Sequence, residues 1–250
     1  MSAYKEKFTL MSHDTDTSDN ARPSIITRLM QETADHHMRD RHPSYIELFS
    51  EGKSFVLTRF TCEIKEQLHQ YDEVEGYTWA CDGKAATFIR CYLIKKEGRI
   101  AAKAYSEWAV ADRINKKICL LDELDLSAYE KDEPLEFELP LNFRIPKGTE
   151  LSPAGMHKVV YSEVDVNMHM NNTYYPDMLR DVIEGAEKKK VTSFSIRFRE
   201  EAPLGCNIEI SVSEPLKAKN DGCGAEEMYY FKTSVGGKTN TEAVMSFSKL

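Results

Sequence analysis

The chain has 250 residues, 41% of them hydrophobic and 30% charged, with a net charge of −8. That is enough apolar sequence for a substantial core in one large domain or two small ones. The acidic balance excludes a general nucleic-acid binder, which carries a basic surface; no apolar run reaches the ~18 residues of a membrane span.

The N-terminal MSAYKEKFTLMSHD lacks the apolar stretch of a signal peptide and the Arg/Ser-rich character of a transit peptide, so a cytoplasmic protein is expected. The six cysteines are scattered with no C-x-x-C pair, which fits a reducing compartment. KFTLMSHDTDTSDN reads as a short strand and a polar loop holding Asp14, Asp16, Ser18 and Asn20. Residues 20–37 then predict a long amphipathic helix, started by Asn20 and Pro23. Its buried face is Ile26, Leu29, Met30, Thr33, Ala34 and His37. His36 and His37 read as packing or surface residues, since no other ligand stands at metal-site spacing. Strand-rich sequence follows: SFVLTRFTCEI, YTWACDG, ATFIRCYLIKKEGRIAAKAYSEWAVA and KKICLL. Residues 127–153 carry four prolines and six acidic residues, the composition of an extended connector.

The pattern then repeats. HKVVYSEVDVNMHMNN reads as strand and polar loop. Residues 172–188 predict a second long helix with Tyr175, Met178, Leu179, Val182, Ile183 and Ala186 on its buried face and Pro176 in its first turn. VTSFSIRFRE, NIEISVSE and EMYYFKTSVGGKTNTEAVMSFSKL read as strands, with hairpin chemistry at KKEGR, NDGCG and VGGKTN. This predicts an α+β fold of two like halves, each a long helix wrapped by an antiparallel sheet. The expected boundaries are residues 1–126, connector 127–153, and residues 154–250.

Within DVNMHMNN, period-two alternation on an extended chain would face Asp165, Asn167 and His169 one way, with Val166, Met168 and Met170 anchored in apolar surroundings. Asp165 also fits a turn, and Asn171 and Asn172 a helix cap. The corresponding loop of the first half has no histidine, which points to the second half as the chemical one.

The run Asp165 to Asn172 has the form D-x-N-x-H-x-N-N, and here the chain resembles the acyl-acyl carrier protein (acyl-ACP) thioesterases of bacteria and plant plastids. SFSIRFREEAPLG, ITRLMQETADHH and SEWAVADRINKK support the resemblance over nearly the whole length. It implies a tandem (double) hot-dog fold, with an acyl-chain pocket in the first half and a catalytic second half. It also implies hydrolysis of fatty acyl-ACP, with Asp165, Asn167, His169 and Glu201 as site residues. No cofactor or metal is implied. Ala202 stands where plant relatives commonly carry Cys, so water is the expected nucleophile, activated by Glu201 and His169. Asn167 would position the water or the carbonyl, and Asp165 would orient Asn167 or a backbone amide. Unpaired amides near Asn171 and Asn172 would serve as oxyanion donors. The partner implied is an acidic carrier protein, for which Lys188–Lys190 with Arg180, Arg197 or Arg199 would form a local basic patch. A monomer or a homodimer fits. Competing readings are an acyl-CoA thioesterase, a hot-dog 3-hydroxyacyl dehydratase and a non-catalytic acyl-binding module.

Overall fold

The structure, a computed structural model, describes residues 3–115, 117–218 and 222–250. Asn220 and Asp221 of the predicted NDGCG turn lie outside these residues. The first half consists of β1 (Tyr4–Thr9), α1 (Pro23–Arg39), α2 (Tyr45–Ser50), β2 (Lys53–Ile64), β3 (Glu73–Lys84), β4 (Thr87–Lys96), β5 (Arg99–Asp112) and β6 (Lys117–Cys119). The second consists of β7 (Ser152–Lys158), α3 (Tyr175–Asp181), β8 (Lys189–Phe198), β9 (Asn207–Val212), β10 (Leu216–Lys217), β11 (Glu227–Val235) and β12 (Lys238–Lys249).

Among the described residues these strands form one twelve-stranded sheet, with main order β1-β3-β4-β5-β2-β8-β12-β11-β9-β7. Read inward from its two edges, the order is the same: first, third, fourth, fifth and second of five equivalent strands. The chain is therefore a tandem repeat joined edge to edge, an α+β double hot-dog. At the seam, β2 pairs antiparallel with β8, and Thr61 stands opposite Ser195 with their hydroxyls 2.8 Å apart. Phe60 and Phe194 stack beside them at 6.1 Å. Two hairpin turns take the left-handed backbone their sequences announce: Glu97-Gly98 and Gly236-Gly237 all have positive φ.

Helix α1 buries Ile26, Met30, Thr33, Ala34 and His37 against the sheet, as its spacing predicts. Asn20 does not cap it; the cap position is Arg22, with Pro23 opening the helix. The second helix departs from expectation. Residues 172–188 form a 3-10 turn (Asn172–Tyr174), the seven-residue α3 and another 3-10 turn (Ala186–Lys188). The apolar periodicity still names the buried side chains, since Tyr175, Met178, Leu179 and Ile183 are all buried. Periodicity reports which side chains face the core, not whether the backbone stays helical between them. Here the chain leaves the helix at Val182 and turns back at Gly185, whose φ is 70°.

The connector is extended but not loose. Buried Glu63 accepts the amides of Glu138 and Leu139 at 2.6 and 3.1 Å. Trp79 donates to the Glu133 carbonyl, Arg59 to that of Phe143, and Phe143 stacks on Tyr230 of the second half. The connector therefore runs as a packed strap from one half to the other.

Candidate active site

The motif loop is a closed turn, not an extended strand. Asp165 N donates to the His169 carbonyl at 2.9 Å, and Met168 N to the Asp165 carbonyl at 3.0 Å. Met168 takes φ 62°, which closes the turn. The carboxylate of Asp165 fills it: Oδ1 accepts the amides of Asn167 at 2.8 Å and His169 at 3.4 Å, and Oδ2 lies 3.4 Å from the Asn167 side-chain amide. Asp165 is thus both turn-former and positioning group. Because the backbone folds back, Val166 is 79% and Met168 47% exposed; the expected apolar anchoring holds only for Met170, which is buried.

The first half builds the same turn. Asp16 N donates to the Asn20 carbonyl and Asp19 N to the Asp16 carbonyl. Asp16 Oδ1 accepts the amides of Ser18 and Asn20, and Asp19 has φ 57°. Asn20 stands where the second loop has His169. The free oxygen of Asp16 is consumed by Arg180 at 2.8 Å, whose guanidinium also donates to the carbonyls of Ala186 and Lys189. One copy of the turn therefore joins the halves, and the other carries the imidazole.

This pair is largely buried, with side chains 12% and 14% exposed. Arg180→Ala is expected to cost about 3 kcal/mol of stability, because it strands the Asp16 carboxylate. Urea denaturation measures it, and an unchanged midpoint would count against the assignment. Burial pushes the Asp16 carboxyl up, but the bonds from Arg180, Ser18 and Asn20 outweigh it and hold the pKa lowered. Its contribution is present above the unfolded carboxyl value of about 3.9 and is lost as pH falls through the folded value.

Glu201 reaches the motif through the backbone. Met170 N donates to the Ala202 carbonyl at 2.8 Å and Leu204 N to the Met168 carbonyl at 3.0 Å. This short ladder places Glu201 Oε2 3.3 Å from His169 Nε2. Their side chains are 62% and 31% exposed, so water and substrate reach the pair.

Of the two asparagines read as caps, one takes that place. Asn171 is the cap, its Oδ1 accepting from the amide and hydroxyl of Thr173. Asn172 Oδ1 instead accepts from Gln31 of α1 at 2.5 Å. The Asn171 amide is bound to the Glu163 carbonyl and is not free for an oxyanion; the argument from a long-helix dipole also lapses with the short α3. Gln31 and Arg28, which lies over the Tyr174 ring, went unnoticed in the sequence. Only their i, i+3 spacing on α1 hinted at a shared face.

The expected basic patch is mostly paired. Arg180 serves Asp16, Arg197 and Arg199 meet Glu242, and Lys189 meets Glu227 and Tyr229. A cavity of about 530 Å³ lies away from the motif, between the β3–β4 hairpin and the connector, lined in part by Phe88, Leu121, Leu124 and Tyr129.

The model of the acyl-ACP thioesterase C-terminal domain matches residues 147–249. Chloroplastic palmitoyl-acyl carrier protein thioesterases of Arabidopsis thaliana and Cuphea hookeriana are each 22% identical, over 82% and 94% of this chain. The chain thus matches the acyl-ACP thioesterase C-terminal domain over residues 147–249. It spans 56% and 60% of the length of those two relatives. Its fold is that of an acyl-ACP thioesterase from Bacteroides thetaiotaomicron, with TM-score 0.79, 18% identity and 98% of both chains covered. It is also that of the 12:0-ACP thioesterase of Umbellularia californica, with TM-score 0.82, 14% identity and coverage of 99% of this chain and 94% of that one. The six cysteines are all outside disulfides, and no helix among the described residues is long and apolar enough to cross a membrane.

Proposed function

We propose that the chain hydrolyses the thioester between a fatty acyl group and acyl carrier protein, in the cytoplasm, releasing free fatty acid and ending chain elongation. The observation that supports this best is the His169–Glu201 pair set on an Asp165-held turn, beside a duplicate turn that lacks the imidazole. In this reading Glu201 and His169 take a proton from water as it attacks the carbonyl, and return it to the departing thiolate. Proton transfer of this kind contributes ~10²–10⁴-fold. Asn167 is exposed and holds only a long bond to Asp165, so its amide can turn to the carbonyl oxygen. Residues 154–250 supply the chemistry. Residues 1–126 hold the acyl chain, and a single chain suffices because both halves are present.

The test is a panel of acyl-ACP, acyl-CoA and 3-hydroxyacyl thioesters, followed for free thiol and for alkene. Thiol release from carrier-bound substrate supports the proposal. Thiol from acyl-CoA alone, alkene formation or binding without turnover would favour one of the competing activities.

Cysteine chemistry is not needed. Burial raises the Cys206 thiol, the opposite of an activated thiolate. Cys206→Ser is expected to keep near-normal turnover and resistance to a thiol alkylator. Its inactivation with unchanged stability would reinstate a covalent thiol.

A further inference from the structure

The rim of the His169–Glu201 pair is apolar and open to solvent. Val166 and Met168 stand on the motif turn, and Leu204 joins them through its backbone bond to the Met168 carbonyl. The next residue, Gly205, donates to the Val159 carbonyl at 2.9 Å, which brings Val160 and Tyr161 alongside. Glu163 N bonds the Val160 carbonyl, and the Glu163 carbonyl takes Asn171 N, so this collar and the motif are one hydrogen-bonded piece of backbone. Val160, Tyr161 and Leu204 are all exposed, Tyr161 by 77%. Single apolar residues on a surface need no explanation, but five gathered around one site mark a place of interaction.

The charges at the collar are sorted by sign. Its carboxylates are engaged within the chain: Asp165 in its turn, Glu163 with His157 and the Val160 amide, and Glu201 with His169. Two cations are not. Lys158 ends β7 and precedes buried Val159, so alternation along the extended backbone turns it to the same exposed side as Val160. Arg28 lies over the Tyr174 ring, whose hydroxyl donates to the Ser162 carbonyl, next to Tyr161. Among the described residues neither Lys158 nor Arg28 makes an ion pair.

We propose that this collar is the docking surface for the acyl carrier protein, whose apolar side chains meet Tyr161, Val166 and Leu204 and whose carboxylates meet Lys158 and Arg28. The proposal rests on the thioesterase reading above. Position and charge both support it. A carrier has to bring its thioester to His169 and Glu201, and a protein that does so covers the collar. An apolar centre with a charged rim is the usual make-up of a specific interface. The two rim cations steer an acidic partner even though Arg180, Arg197, Arg199 and Lys189 are already paired.

The experiment compares one acyl group on carrier protein and on the small thiol N-acetylcysteamine, in wild type, Tyr161→Glu, Lys158→Glu and Arg28→Glu. For the carrier substrate, KM is expected to rise ~10-fold or more in Tyr161→Glu with kcat kept. The two charge reversals should raise it as well and weaken its dependence on salt. For the small thioester, kcat/KM should stay near wild type in all three variants, because none alters the His169–Glu201 pair. A carrier KM unmoved by all three, or an equal loss on the small thioester, overturns the docking surface while thioester hydrolysis stands. So does co-sedimentation with anionic lipid vesicles that Tyr161→Glu abolishes while the carrier KM is unchanged. No thiol release from the carrier substrate by wild type would sink the underlying reading instead, and the inference with it.

Discussion

His169→Ala and Glu201→Ala are each expected to lower turnover by ~10²–10⁴-fold, the span of a positioned acid–base group. The two side chains come from segments thirty-two residues apart and meet at 3.3 Å because the backbone ladder from Met168 to Met170 holds the Glu201 loop in place. Neither side chain holds that ladder, so both variants should fold normally, and circular dichroism and the urea midpoint check it. The double variant should lose little more than the worse single one, because residues acting as a unit are not additive. Steady-state thiol release measures all three. Near-normal turnover of either single variant would remove that residue from the chemistry.

Asn167→Asp should lower turnover by ~10²–10³-fold, the loss seen when one oxyanion donor is removed. The substitution keeps the shape and changes the charge. In the folded turn the Asn167 amide nitrogen lies 3.4 Å from Asp165 Oδ2. A carboxylate there would face Asp165 at short range and oppose the negative charge that develops on the carbonyl oxygen. Like charges also raise one another's pKa, so the acid limb of the pH–rate profile should move upward. Asn167→Ala, which removes the amide without adding charge, should lose as much turnover and leave the limb in place. Wild-type turnover and profile in Asn167→Asp would mean that the amide positions neither water nor carbonyl.

Much of this was legible locally. The strands, the buried face of α1 and the duplication all follow from side-chain period and turn residues, which are properties of neighbouring positions. The D-x-N-x-H-x-N-N run marked the loop for the same reason: Asp165, Asn167 and His169 lie within five residues, and one carboxylate ties them. The fate of the second helix was not legible, because its apolar spacing suits a helix and a broken segment equally, and the bonds from Arg180 to Asp16, Ala186 and Lys189 form only after the halves meet. The same limit applies to which asparagine caps and which one faces Gln31. It applies as well to the pairing of Arg197 and Arg199 with Glu242 across the β8–β12 register, which removes most of the basic patch that a linear reading shows. The meeting of Glu201 with His169, and of Gln31 with Asn172, are long-range events. They are decided by which strand edges join and which helix face looks inward, and no short window of sequence contains both partners.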